Sequence, residues 1–213
     1  MVKTKLLIWD WNGTLLDDTA CCFEITNAMR RERGMAPLPD LDTYRGLFRF
    51  PVIDYYRDMG YTFETESYEA ISVDYIARYA AAVGGCTLQQ GALETLETVK
   101  RMGIPQRILS ATGQERLDIE TELFGIRSYF IEILGQKDNL AHSKVERGRA
   151  YLAKSGIAPQ SVLFVGDTDH DYEVASAMGC RVALLSCGHQ TRDKLERCGA
   201  PILDALSELP SLL

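Results

Sequence analysis

The sequence has no Cys-x-x-Cys pair, no basic run, no apolar stretch near membrane-spanning length, and no lysine between Lys5 and Lys100. Each gap removes a class of function. Six cysteines without metal-ligand spacing read as packing residues of a reduced protein, not as a zinc site or a disulfide framework. Apolar runs of strand length do not cross a bilayer, so no membrane association is expected. The balance of 23 basic to 30 acidic residues leaves a net charge of −7. Without a basic stripe, nucleic acid is not an expected partner. The short cluster Arg30, Arg31 and Arg33 reads as a solvated helix face. The first residues enter a strand directly with no signal-peptide pattern, so the expected location is cytoplasmic.

What is present is a chain of 213 residues, 46% apolar, enough for one ordinary domain with a smaller insert. Short apolar runs at Lys5–Trp9, Gln106–Ser110, Phe130–Leu134, Val162–Val165 and Val182–Leu185 read as strands. Between and after them, Ala92–Met102, Glu115–Phe124, Val145–Ser155, Tyr172–Met178 and Thr191–Cys198 carry helical patterns. Gly103, Gly125, Gly156 and Gly179 each follow a helix, where a C-terminal cap belongs. Alternating strands and helices predict an α/β fold, a parallel sheet with helices on both faces. One segment breaks the alternation. From about Asp17 to Gly84 no strand is expected, and Thr19–Arg33, Phe50–Met59 and Ser67–Ala82 read as helices. Gly84–Gly85 then reads as a hinge. The expected division is a core of residues 1–16 and 85–213 around an inserted helical cap of 17–84.

Open parallel sheets bind ligands at the carboxyl ends of their strands. The first strand ends in "WDWNGTLLDD", with Asp10, Asn12 and Gly13. The second ends in "ILSATG", with Ser110, Ala111, Thr112 and Gly113. The fourth ends in "LFVGDTDHDYEVASAMG", with Asp167, Asp169, His170 and Asp171. Lys144 precedes the helix that leads into that strand. Taken singly, each residue is a common turn, cap or surface residue. Together they make a set of oxygen ligands suited to Mg²⁺, with an ammonium and a hydroxyl for phosphate oxygens and a carboxylate, Asp10, as nucleophile.

The order and spacing of these motifs resemble the haloacid dehalogenase-like superfamily, with phosphoglycolate-phosphatase-like members the nearest type. The resemblance implies a Rossmann-like core with a helical cap and a Mg²⁺-dependent phosphohydrolase of a small phosphorylated metabolite. It implies that Asp10 is nucleophile and metal ligand, and that the Asn12 carbonyl, Asp167 and Asp171 complete or support the metal site. Ser110 and the Ala111 amide would hold the phosphate, and Lys144 would neutralise charge. Phosphonoacetaldehyde-hydrolase chemistry needs a cap lysine, which this chain lacks.

One position departs from that pattern. The phosphatases place a second aspartate where this chain has Asn12, and that acid protonates the leaving oxygen and then activates water. An amide does neither. His170 and His142 are candidate substitutes, His189 has no assigned place, and Asp17 and Asp18 are expected on the path into the cap. The departure keeps a second function open: a weak or inactive relative that binds a phosphate ligand or a protein. Arg45 and Arg49 are candidates for selecting the remote part of a substrate. The oligomeric state is not readable.

Overall fold

A computed structural model describes residues 2–136 and 144–213. The candidate His142 lies outside them. Six parallel strands form the central sheet: β1 (Leu6–Trp9), β4 (Gln106–Gly113), β5 (Glu132–Gln136), β6 (Val162–Gly166), β7 (Arg181–Leu185) and β8 (Ile202–Leu203). Their order in space is β5-β4-β1-β6-β7-β8. A two-residue antiparallel pair, β2 (Leu16–Asp17) with β3 (Thr87–Leu88), lies at the points where the chain leaves the sheet region and returns.

β1 is buried along its whole length because it is flanked by strands and covered on both faces. Its side chains alternate. Leu7 and Trp9 enter one apolar cluster with Ile108, Leu163 and Val165, and Leu6 and Ile8 enter another with Leu109, Val162 and Phe164. α5 (Ala92–Arg101) and α6 (Gln114–Leu123) close the first face through Leu96, Val99 and Leu117. α7 (Lys144–Ser155) and α8 (Asp169–Met178) close the second through Leu152, Val174 and Met178. The chain builds outward from β1 to β4 and β5, then crosses back to β6 on the other side of β1. This reversal opens a crevice at the carboxyl ends of β1, β4 and β6, and it is where the quoted motifs converge.

The five expected strands and their helices are present with ends shifted by a few residues. β4 runs on to Gly113 through a register irregularity after Leu109. β2, β3 and β8, of two residues each, are too short to show a periodicity. Between β2 and β3 lie α1 (Thr19–Glu32), α2 (Leu41–Leu47), α3 (Val52–Asp58) and α4 (Tyr68–Ala82). α2 was hidden by Pro37, Pro39 and Gly46. Its start is fixed by the Asp40 carboxylate, which accepts from the Thr43 amide at 2.7 Å.

Within the arginine cluster only Arg31 is solvent-exposed. Arg30 is buried and donates to the Ala36 and Met59 carbonyls. Arg33 pairs with Glu66 and Asp74, tying α1 to α4. No helix among the described residues is long and apolar enough to cross a membrane.

Candidate active site

The site is assembled by loops that are too crowded for ordinary side chains. The Asp167 carboxylate accepts from the Thr14 hydroxyl at 2.8 Å and from the His189 amide at 2.7 Å. A Cβ on Gly13 or on Gly188 would stand 2.3 Å from its Oδ2, so both glycines are required by the close approach of the backbone. Gly13 also has a φ of +71°. Asp171 closes a capping box with Thr168 at the start of α8 and accepts from the Asp167 amide at 3.2 Å. Asp10, Asp167 and Asp171 thus present carboxylate oxygens all within 4.8 Å of one another.

Three converging carboxylates repel unless something offsets them. Lys144, at the first position of α7, offsets two: its ammonium donates to Asp10 at 2.7 Å and to Asp171 at 2.6 Å. Burial alone would lower the Lys144 pKa, but the two carboxylates outweigh it and raise it. Asp171 is held below the usual carboxylate range because Lys144 and Thr168 outweigh the cost of burial. Asp10 and Asp167 are not fully offset. Burial, with help from neighbouring carboxylates, pushes Asp10 up to about 6 and Asp167 up to about 7. A hard divalent cation among these oxygens supplies the missing charge, so the donor set fits Mg²⁺. Ser110, buried within β4 just after Leu109 where the register breaks, accepts from the Thr112 amide at 3.1 Å, and Ala111 beside it is exposed. The three carboxylates, Lys144, Ser110 and Ala111 line one cavity of about 1170 Å³.

Asn12 sits beside this cluster with its side chain fully engaged. Its amide nitrogen donates to Asp18 and to the Tyr79 hydroxyl, both at 2.7 Å, and its oxygen accepts from Thr112 at 2.7 Å. Asp18 is wholly buried and collects donors: the Gly13 amide at 2.9 Å, the Tyr79 hydroxyl at 2.8 Å and the His189 ring at 3.1 Å. The other ring nitrogen of His189 meets the Tyr44 hydroxyl at 3.0 Å. Burial would raise Asp18, but His189 and the hydrogen bonds outweigh it and lower the pKa. Burial would lower His189, but Asp18 prevails and the ring is pushed up to about 9, so it is an imidazolium at neutral pH. The carboxylate absent at position 12 is therefore matched by a buried ion pair one layer deeper, joining the Asn12 loop to α4 through Tyr79 and to α2 through Tyr44.

A family model described as haloacid dehalogenase-like hydrolase matches residues 7–185. The chain belongs to the haloacid dehalogenase-like hydrolase family. It is 27% identical over 188 residues to a phosphoglycolate phosphatase of Rhodobacter capsulatus, covering 86% of this chain and 85% of that protein. It is 25% identical over 210 residues to the tyrosine-protein kinase PtkA of Mycobacterium tuberculosis, covering 98% of this chain and 71% of that one. Among solved structures, a haloacid dehalogenase-like hydrolase from Streptococcus pneumoniae superposes with a TM-score of 0.85 at 20% identity, over 100% of this chain and 99% of the other. The M. tuberculosis protein tyrosine kinase A superposes with a TM-score of 0.80 at 25% identity, over 99% and 98%.

Within this haloacid dehalogenase-like site, the structure gathers Asp10, Asn12, Ser110, Ala111, Lys144, Asp167 and Asp171 on one crevice. It does not bring Arg45 and Arg49 there. Arg45 donates to the Ser186 and Gln190 carbonyls, and Arg49 pairs with Asp58 at 2.5 Å. His170 lines the cavity but stacks on Phe50, with ring centroids 4.5 Å apart. Asp18 and His189 were missed as partners. Asp18 lies four residues before Cys22 on a helix start, and nothing local marks it as buried. His189 meets it only through a separation of 171 residues.

Arg45 holds the loop after β7 that carries His189. Arg45→Ala is expected to lower stability by roughly 1.5–3 kcal/mol, the range for a hydrogen bond from a charged donor. Urea unfolding measures this, and an unchanged midpoint and slope would contradict the anchoring role.

Proposed function

We propose that this chain is a Mg²⁺-dependent phosphohydrolase that works through an aspartyl-phosphate on Asp10. The observation that carries the reading is the Lys144 ammonium bridging Asp10 and Asp171 inside a cluster of three carboxylates. A binder of phosphate would not bury a carboxylate where the phosphate must sit. The relatives' names, a phosphatase and a kinase, both denote proteins that handle phosphoryl groups. In this reading residues 1–16 and 85–213 are the catalytic core and 17–84 the cap.

Asp10, Asp167 and the Asn12 carbonyl would hold the cation, with Asp171 supporting them, and the bound ion would supply positive charge against the phosphate oxygens. The chain's own groups do the rest. Ser110 and the Ala111 amide orient the phosphate, and Lys144 keeps the Asp10 oxygen that it touches fixed and partly neutralised. The other Asp10 oxygen attacks phosphorus and the leaving oxygen departs with the bonding pair. Water then cleaves the aspartyl-phosphate. The substrate would be a small phosphorylated molecule. A weak, ligand-binding relative remains the second reading, favoured by Asn12 alone. A Mg²⁺-dependent phosphate-release assay on aryl phosphates separates the two: release that is abolished by a chelator supports the enzyme, and none with any phosphate ester supports the binder.

The raised carboxylates set a pH dependence. Their folded pKa values, about 6 and about 7, exceed the ordinary 3.8. Their charged forms therefore weaken the metal-free fold. That contribution to stability is whole below about pH 4 and is lost as pH rises through 7. Mg²⁺ binds the charged forms, so the rise in melting temperature on adding saturating Mg²⁺ is expected to be larger at pH 8 than at pH 5. Asp167→Ala should remove most of it. Equal shifts at both pH values, or an undiminished shift in the variant, would contradict the proposed ligand set.

A further inference from the structure

We propose, resting on the phosphohydrolase reading, that the substrate class is the phosphomonoester of a phenol: a phosphate carried directly on an aromatic ring, with no second anionic group.

Two independent features point there. The first is the wall facing the carboxylate cluster. A cavity of about 1170 Å³ exceeds the ordinary size of small-molecule pockets, and a two-carbon phosphate ester would leave most of it unfilled. Phe48, Phe50, Tyr68, Tyr75 and Ile76 line the part supplied by the helices between β2 and β3. These rings are braced in place. Phe48 stacks on His189 at 4.9 Å and meets Phe50 edge-on at 5.7 Å, Phe50 stacks on His170, and Tyr75 stacks on Tyr79 at 6.3 Å. Rigid rings around an open volume favour a flat apolar guest, which gains from both burial and ring-to-ring contact.

The charge of the lining argues the same way. Among the described residues that line the cavity, the lysine and arginine are Lys144 and Arg116. Lys144 is committed to two carboxylates, and the Arg116 guanidinium lies over the Tyr79 ring, 5.4 Å from its centroid. Arg45 and Arg49 are held elsewhere. A carboxylate or second phosphate on the substrate would meet Glu115 and Asp118 on the same lining, and neither described lysine or arginine of that lining is left without a partner to receive it. Desolvating such an anion without a partner is costly.

The second feature is the leaving group that Asn12 permits. Its amide is locked by Asp18, Tyr79 and Thr112 and has no proton to give. The His189 ring, the nearest alternative donor, is turned into Asp18 and Tyr44. An alkoxide leaving without a proton is a strong base, whereas a phenolate is several orders of magnitude less basic and can leave unassisted. The step balances without an acid. An Asp10 oxygen bonds to phosphorus, the bond from phosphorus to the aryl oxygen breaks, and the electron pair leaves on the phenolate, which takes a proton from solvent. Water then attacks phosphorus, the bond to Asp10 breaks, and orthophosphate and the Asp10 carboxylate remain. The net reaction consumes one aryl phosphate and one water and yields one phenol and one phosphate.

The test compares kcat/KM for phenyl phosphate, benzyl phosphate and 2-phosphoglycolate at saturating Mg²⁺. Benzyl phosphate keeps the ring but leaves as an alkoxide, so it separates ring binding from leaving-group chemistry. The expected order is phenyl, then benzyl, then phosphoglycolate, with at least tenfold between the first and the last. Phe50→Ala, a half-buried ring whose removal spares the core, should raise KM for phenyl phosphate at least fivefold. Faster hydrolysis of phosphoglycolate than of phenyl phosphate, or an unchanged KM in the Phe50 variant, would overturn the substrate class and leave the phosphohydrolase reading standing. If the folded protein shows Mg²⁺-dependent melting yet hydrolyses none of the three, both fail.

Discussion

Asp10→Asn is expected to reduce phosphate release from any substrate by at least about 10³-fold while leaving the fold intact. The amide keeps the shape of the side chain but has no anionic oxygen to attack phosphorus, and among the described residues no second carboxylate is placed to substitute. Asp167 and Asp171 are engaged by Thr14, Thr168 and backbone amides. The fold should not suffer, because the Asp10 charge is already disfavoured by burial. A neutral isostere removes that cost, and Lys144 retains Asp171 as a partner. Steady-state assays with thermal melts on the same preparation measure both halves. Turnover within tenfold of the parent would contradict the nucleophile, and a collapsed melting temperature would contradict the electrostatic account of the site.

The second large effect concerns the pair Asn12 and Asp18. Asn12→Asp alone would set a carboxylate oxygen where an amide nitrogen now donates to Asp18 at 2.7 Å. Two carboxylates in contact hold a proton between them or repel, so the single variant should melt below the parent. Exchanging the two residues, Asn12→Asp with Asp18→Asn, restores a donor facing an acceptor. The oxygen of the amide placed at position 18 can still take the Gly13 amide and His189. Its nitrogen can face the new carboxylate at position 12 and the Tyr79 hydroxyl. The exchanged protein should melt above the single variant, though below the parent because His189 loses the Asp18 charge, and carry an acid beside the leaving group. General acid and base help is typically worth about 10²–10⁴-fold, so turnover of alkyl phosphates such as 2-phosphoglycolate should rise by about 10²-fold or more. Phenyl phosphate should change far less. An exchanged protein that is folded but no better on alkyl phosphates would mean that the amide at position 12 does not limit the chemistry.

The part of the fold that could be read from sequence is the part with a period. β1, β4, β6 and β7 are apolar runs bounded by turns, and Asp10, Ser110 and Asp167 follow from them because a parallel sheet delivers its strand ends to one edge. Lys144 was legible as a member of the motif set, and its charge-neutralising role only as what the resemblance implies, since a lysine at a helix start by itself says nothing of two carboxylates beside it. α2 escaped because prolines precede it and Gly46 interrupts it, and the two-residue strands because pairing, not side-chain pattern, defines them. The Asp18–His189 pair was illegible for a different reason: its members are joined by folding across 171 residues, and each has an ordinary local setting. Arg45 and Arg49 show the converse. Arginines in a cap resemble specificity residues on paper, yet in the fold Arg45 reaches two carbonyls and Arg49 a nearby aspartate.

The most direct test is to mix the Mg²⁺-loaded protein with phenyl phosphate carrying radiolabelled phosphorus, quench in acid within milliseconds, and map the labelled peptide. The account predicts acid-stable, hydroxylamine-sensitive label on the peptide containing Asp10 and none in Asp10→Asn. Release of phosphate with no covalent label at any time, or label on another residue, would contradict it.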